Sequence, residues 1–87
     1  SLGKRCVASA IPEKTRAFAA TLTKNDLLLV ISGTGRNPAL EEVARLAREN
    51  GAAILLITSD RHSPLAQQAD HVLLVIEVLY YLMLLGE

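Results

Sequence analysis

Leu27-Leu28-Leu29-Val30-Ile31-Ser32-Gly33-Thr34-Gly35-Arg36-Asn37-Pro38-Ala39-Leu40 is the stretch that decides the fold of this chain. Its apolar residues, Leu27 to Ile31, run into a loop of Ser, Thr and Gly, and the loop opens an amphipathic helix. A short apolar run closed by glycines predicts a strand, Leu27–Ser32, buried on both faces. The loop offers the hydroxyls of Ser32 and Thr34, the backbone amides of Gly33 and Gly35, and the side chain of Arg36. It does so at a helix N-terminus, where amides without helical partners and the positive end of the dipole favour an anion. Hydroxyl donors around that point favour phosphate over a bare carboxylate. The stretch therefore points to a phosphorylated small molecule.

Working outward, Asn37-Pro38 reads as N-cap and first helical residue. Leu40, Val43, Ala44 and Ala47 recur at helical spacing and give one apolar face, with Glu41–Arg45 as an i,i+4 pair outside it. Asn50-Gly51 ends that helix. A second buried strand is expected over Ala53–Thr58, then a polar loop Ser59-Asp60-Arg61-His62 and a short helix capped by Ser63-Pro64 that ends near Ala69. Asp70 leads into a third buried strand, His71–Val75. Glu77 to Leu85 reads as a helix that is apolar almost all round and must be enclosed by other protein. Upstream, Lys4–Ala8 is a short strand candidate and Pro12 suits the start of a helix containing Glu13, Ala17, Phe18, Ala20 and Thr21. Thr23–Asp26 is a polar connection.

Strands alternating with helices predict an α/β fold: a three-layer α/β/α arrangement around a parallel sheet with right-handed crossovers. Ligands bind such sheets at the carboxyl ends of the strands. Ser32–Asn37 and Thr58–Ser63 both fall at that edge.

Composition narrows the function classes. Eighty-seven residues make one domain. Nine acidic and nine basic residues balance, so no global field favours nucleic acid or membrane. With no Trp, one Phe and two Tyr, the chain lacks a platform for stacking bases and suits an aliphatic parallel core. The lone Cys6 cannot form an intrachain disulfide and no cleavable signal pattern precedes it, which predicts a cytoplasmic protein. The apolar end, His71 to Leu85, is about 15 residues long and interrupted by Glu77, short of the roughly 20 that a membrane span needs.

Other phosphate motifs fit less well. A P-loop needs a lysine, and none lies near this loop. A nucleotide-binding Rossmann-like domain remains an alternative: Gly33 and Gly35 give Gly-x-Gly, and Asp60 follows the next strand, where a ribose-binding acid could sit. Pro38, however, occupies the third glycine position. The plainest alternative is an ordinary strand-to-helix turn with no ligand. Arg36, Ser59 and His62 are possible ligand-edge residues, although a loop arginine or histidine is commonly just solvated. His71 reads as structural, Cys6 as a small core residue, and Glu77 as a helix-start or interface residue in preference to an acid/base. No catalytic residue, metal ligand or cofactor is assigned.

Taken in order, Ser32-Gly33-Thr34-Gly35-Arg36-Asn37, Ala47-Arg48-Glu49-Asn50-Gly51, Ile57-Thr58, Ser63-Pro64-Leu65-Ala66 and Ala69-Asp70 resemble the SIS (sugar isomerase) domain, a phosphosugar-binding fold. The resemblance runs from about Lys4 to Val75 and implies that Ser32, Thr34 and Asn37 occupy the three hydroxyl positions holding a sugar phosphate, with Gly33 and Gly35 in the backbone cradle. Asn37 stands where the family usually has Thr, and Gly33 where it often has a polar residue. The tight turn and the helix around Val78-Leu79-Tyr80-Tyr81-Leu82 are most similar to RpiR-type transcription regulators. That implies a sensor module and not an enzyme, with any DNA contact made by a domain absent from this chain. A phosphosugar isomerase (an aldose-ketose isomerase of the same superfamily) is the alternative. By the same resemblance the domain is expected to be incomplete. It would lack a first helix and strand, and a loop and helix start around Val75–Ile76. Homo-oligomerisation through the apolar last helix is expected.

Overall fold

The structure is a computed structural model and describes residues 17–86. The Lys4–Ala8 strand, the Pro12 helix start and Cys6 lie outside the described residues. After a helical turn at 17–19, the chain runs β1 (Leu27–Ile31), α1 (Pro38–Glu49), β2 (Ala53–Thr58), α2 (Pro64–Gln68), β3 (His71–Leu74) and α3 (Val75–Leu85). The strands form one sheet in the order β1-β2-β3, and both pairings are parallel. Leu27 stands opposite Ala53 and Ile31 opposite Ile57, while Leu55 meets His71 and Thr58 meets Leu74. This is the parallel α/β architecture expected from apolar runs separated by helical segments.

These segments form strands and helices for local reasons. Asn37 caps α1 with its side-chain oxygen, and Pro38, which has no N–H to satisfy, takes the first helical position. The apolar face is the one expected: Leu40, Val43, Ala44 and Ala47 are all buried. They pack on Leu28 and Val30 of β1 and Ile54 and Leu56 of β2, with Leu65 and Ala66 of α2 and Ala19 and Leu22 completing the cluster. Gly51, at φ +82°, turns the chain out of α1, and the Asn50 Nδ2 group donates to the Ala19 and Ala20 carbonyls. Asp70 closes the start of β2: its Oδ2 accepts from Ile54 N–H at 2.7 Å, and its own N–H donates to Ile54 O at 2.9 Å.

Four expectations are corrected. Burial in β1 and β2 alternates instead of covering both faces, because the described helices that pack on them, α1 and α2, build a single core cluster. On the other face Leu29 and Leu55 are only half-buried and Ile31 is exposed. The third strand ends at Leu74, one residue early, because α3 begins directly at Val75 with no connecting loop. Neither β3 nor α3 is buried, and His71 is exposed instead of enclosed. Finally, Arg45 does not pair with Glu41: its guanidinium lies between Glu42 and Glu49, and both carboxylates raise its pKa. Glu77 serves the helix start, since its Oε1 accepts from Leu74 N–H at 2.9 Å.

Candidate functional site

The loop after β1 lies at the carboxyl edge of the sheet, against the loop after β2. Ser32 N–H continues the ladder by donating to Ile57 O at 2.9 Å. Gly33 then receives two bonds through its carbonyl, from Ser59 N–H at 2.9 Å and from Thr58 Oγ1 at 3.1 Å. Gly35 O accepts from Leu65 N–H at 3.1 Å, so the floor of the loop is pinned to the first turn of α2. Thr58 and Ser63, the two hydroxyl residues under the loop, are fully buried.

Gly35 is required where it stands. Its φ is +67°, a left-handed conformation, and a Cβ there would lie 2.0 Å from Ser63 Oγ and 2.5 Å from Ser63 Cβ. The side chain of Ser63 occupies the space that Gly35 leaves. Gly33 is the opposite case, because a Cβ built on it meets nothing within 4 Å.

The polar groups of the loop are partly spent on one another. Ser32 Oγ accepts from Gly35 N–H at 3.1 Å, and Thr34 Oγ1 accepts from Arg36 N–H at 3.2 Å. Asn37 Oδ1 accepts from the amides of Ala39 at 2.9 Å and Leu40 at 3.3 Å, while Glu41 N–H donates to Asn37 O at 2.9 Å. Since Pro38 has no N–H, the amides of the first helical turn are used by the cap. The amides of Gly33, Thr34 and Asn37 have no hydrogen-bond partner among the described residues. Those amides, the hydroxyl hydrogens of Ser32 and Thr34, and the helix dipole are what the loop can turn toward an anion.

The sequence-selected residues fall together. Ser32, Gly33, Thr34, Gly35 and Asn37 line one turn, and Ser59 reaches it through its amide. Arg36 is exposed and joined to Asp60, Nη2 to Oδ2 at 2.8 Å. His62 contributes its backbone, whose N–H donates to Asp60 Oδ1 at 2.9 Å. That bond and the Arg36 guanidinium hold the Asp60 carboxyl below its ordinary range. Asp60 is the residue the sequence reading undervalued. It entered only as a ribose ligand of the nucleotide alternative, whereas both its oxygens are engaged inside this edge. Its signal was its place beside Ser59, immediately after β2. No group of three His, Cys, Asp or Glu side chains that could hold a metal occurs among the described residues.

Comparison with known proteins fits this geometry. The RpiR transcriptional regulator of the helix-turn-helix type from Escherichia coli K12 is 35% identical over 72 residues, which covers 83% of this chain and 24% of the regulator. The N-acetylmuramic acid 6-phosphate etherase of Thermobifida fusca is 44% identical over 55 residues, covering 63% of this chain and 18% of the etherase. The chain therefore spans about a quarter or less of the length of these two relatives. The Vibrio vulnificus NanR protein, solved in complex with ManNAc-6P, shares the fold at a TM-score of 0.73, with 22% identity over 84% of this chain and 28% of NanR. A family model described as the SIS domain matches residues 2–81. The chain belongs to the SIS domain family.

Proposed function

We propose that this domain binds the phosphate of a sugar phosphate in the 32–37 loop and acts as the ligand-sensing module of an RpiR-type transcription regulator. The carrying observation is the loop itself. Gly35 is locked over Ser63, and this presents the Ser32 and Thr34 hydroxyls with the Gly33, Thr34 and Asn37 amides at one helix N-terminus. Asn37 works mainly through its backbone, because its side-chain oxygen is the helix cap. The similarity to a regulator over most of the chain, and the solved NanR complex with a sugar phosphate, support the sensor assignment. The protein then works in the cytoplasm as a homo-oligomer, and meets DNA through a domain outside this chain. Among the described residues no helix is long and apolar enough to cross a membrane.

Charge-assisted hydrogen bonds contribute roughly 1.5–3 kcal/mol each where desolvated. Replacing Ser32 and Thr34 together by Ala is expected to weaken sugar-phosphate binding about tenfold or more, read by calorimetry on the intact protein. Unchanged affinity would remove both hydroxyls from the site. The similarity to an etherase keeps an enzyme as the second reading. Turnover of sugar phosphates by the intact protein would establish it, and ligand-dependent DNA affinity without turnover would establish the sensor.

A further inference from the structure

The hydrogen bonds described between the 32–37 loop and residues 58–65 differ in kind. Three fix the backbone: Ser59 N–H and Thr58 Oγ1 to Gly33 O, and Leu65 N–H to Gly35 O. The fourth joins side chains, Arg36 to Asp60, with 58% and 36% of those side chains exposed. An exposed ion pair adds little to stability, and the backbone bonds already hold the loops together. The pair is not needed for closure.

Asp60 is nonetheless firmly placed. Its N–H donates to Thr58 Oγ1 at 3.3 Å, its carbonyl accepts from Ser63 N–H at 3.2 Å, and its Oδ1 accepts from His62 N–H. Thr58 Oγ1 in turn donates to Gly33 O, so Asp60 is two hydrogen bonds away from the phosphate loop. A carboxylate offers about four acceptor positions, and the contacts to Arg36 and His62 take one on each oxygen. At the rim of a site for phosphate alone, a carboxylate would only repel the ligand. A ligand that carries hydroxyls beside its phosphate brings donors for which a carboxylate is a strong acceptor.

We propose that Asp60 reads the sugar: it accepts from ligand hydroxyls, while Arg36, held against it, reaches the phosphate. The site then selects a polyhydroxylated phosphate ester over inorganic phosphate. This rests on the phosphate reading of the 32–37 loop.

The test is calorimetry on the intact protein, unaltered and as Asp60→Asn and Ser32→Ala. The probes are inorganic phosphate, glucose 6-phosphate, fructose 6-phosphate and N-acetylmannosamine 6-phosphate. Asparagine keeps the shape at position 60 and an oxygen for the His62 amide. Asp60→Asn is expected to weaken the tightest-binding sugar phosphate about tenfold while inorganic phosphate binds as well or better, and Ser32→Ala to weaken both. An equal loss for both ligand types in Asp60→Asn, or no loss for the sugar phosphate, overturns the role of Asp60 and leaves the phosphate site standing. Absence of any effect of Ser32→Ala, or no preference for a sugar phosphate in the unaltered protein, overturns the phosphosugar reading and Asp60's role with it.

Discussion

Gly33 and Gly35 stand two positions apart in one loop and differ in what they can accept. Gly33→Ser enters open space at a residue whose φ is not positive, so the melting temperature should stay within the small shifts typical of surface changes. The added hydroxyl should tighten phosphate binding, and calorimetry showing unchanged affinity would place Gly33 away from the ligand. Gly35→Ala must adopt φ +67° and meet Ser63, so it should lose roughly 1–3 kcal/mol from the backbone alone, with a further loss from the clash. A thermal melt unchanged by Gly35→Ala would contradict the described turn. Asp60 gives a pH test. Its pKa is lowered in the folded protein, chiefly by the His62 amide and then by Arg36. Its stabilising contribution is therefore complete above the unfolded value and lost as pH falls through the lower folded one. A melting difference between the unaltered protein and Asp60→Asn should persist from pH 8 to pH 5 and fade only in stronger acid, below about pH 4.

The elements differ in how far the sequence displayed them. α1 was legible in its cap, its four buried apolar residues and its glycine stop, which are local signals, but not in its ion pairs, where Arg45 chose Glu42 and Glu49 over Glu41. β1 and β2 were located to within one residue, but their burial was misread. Leu29, Leu55 and Ile57 belong to apolar runs whose second face the described helices α1 and α2 do not cover, and periodicity cannot report which partners are at hand. β3 and α3 were told apart, but their boundary fell one or two residues late, because His71 to Leu85 is nearly unbroken apolar sequence with no turn residue to mark the change at Val75. In the 32–37 loop, hydroxyls and glycines were visible, whereas the Arg36–Asp60 pair joins residues 24 positions apart and has no local signature. α3 also carries a prediction of its own. Ile76, Met83 and Leu85 are 72%, 71% and 82% exposed, and Glu77 is the only charge from Val72 to Gly86. A second copy of the same helix can cover this surface with only Glu77, at its first turn, to be kept in water, so the protein should sediment as a dimer or larger assembly at micromolar concentration. Leu82→Glu should shift it toward monomer, and a monomeric unaltered protein would refute the pairing.

For the whole molecule, balanced charge and a site at one sheet edge separate two behaviours. The isolated 87-residue chain has a formal net charge of zero, so it should not retard duplex DNA in a gel at physiological salt. Retardation by this chain alone would show that DNA is contacted without a further domain. The proposed phosphate capture, by contrast, would rely on short-range donors and should persist in salt that screens distant charges, with a Debye length of about 8 Å at 0.15 M. The seating of Ser63 in the gap at Gly35 reaches past binding into dynamics. The 32–37 turn cannot lift away from the start of α2 without withdrawing a buried side chain from under it. In hydrogen exchange, the Gly35 and Leu65 amides should then open together, at the rate of the core and not of a surface loop. In the proposed site, a ligand arriving at such a floor would find it already shaped, and any response would have to begin at the partly exposed Arg36 and Asp60 side chains of the rim.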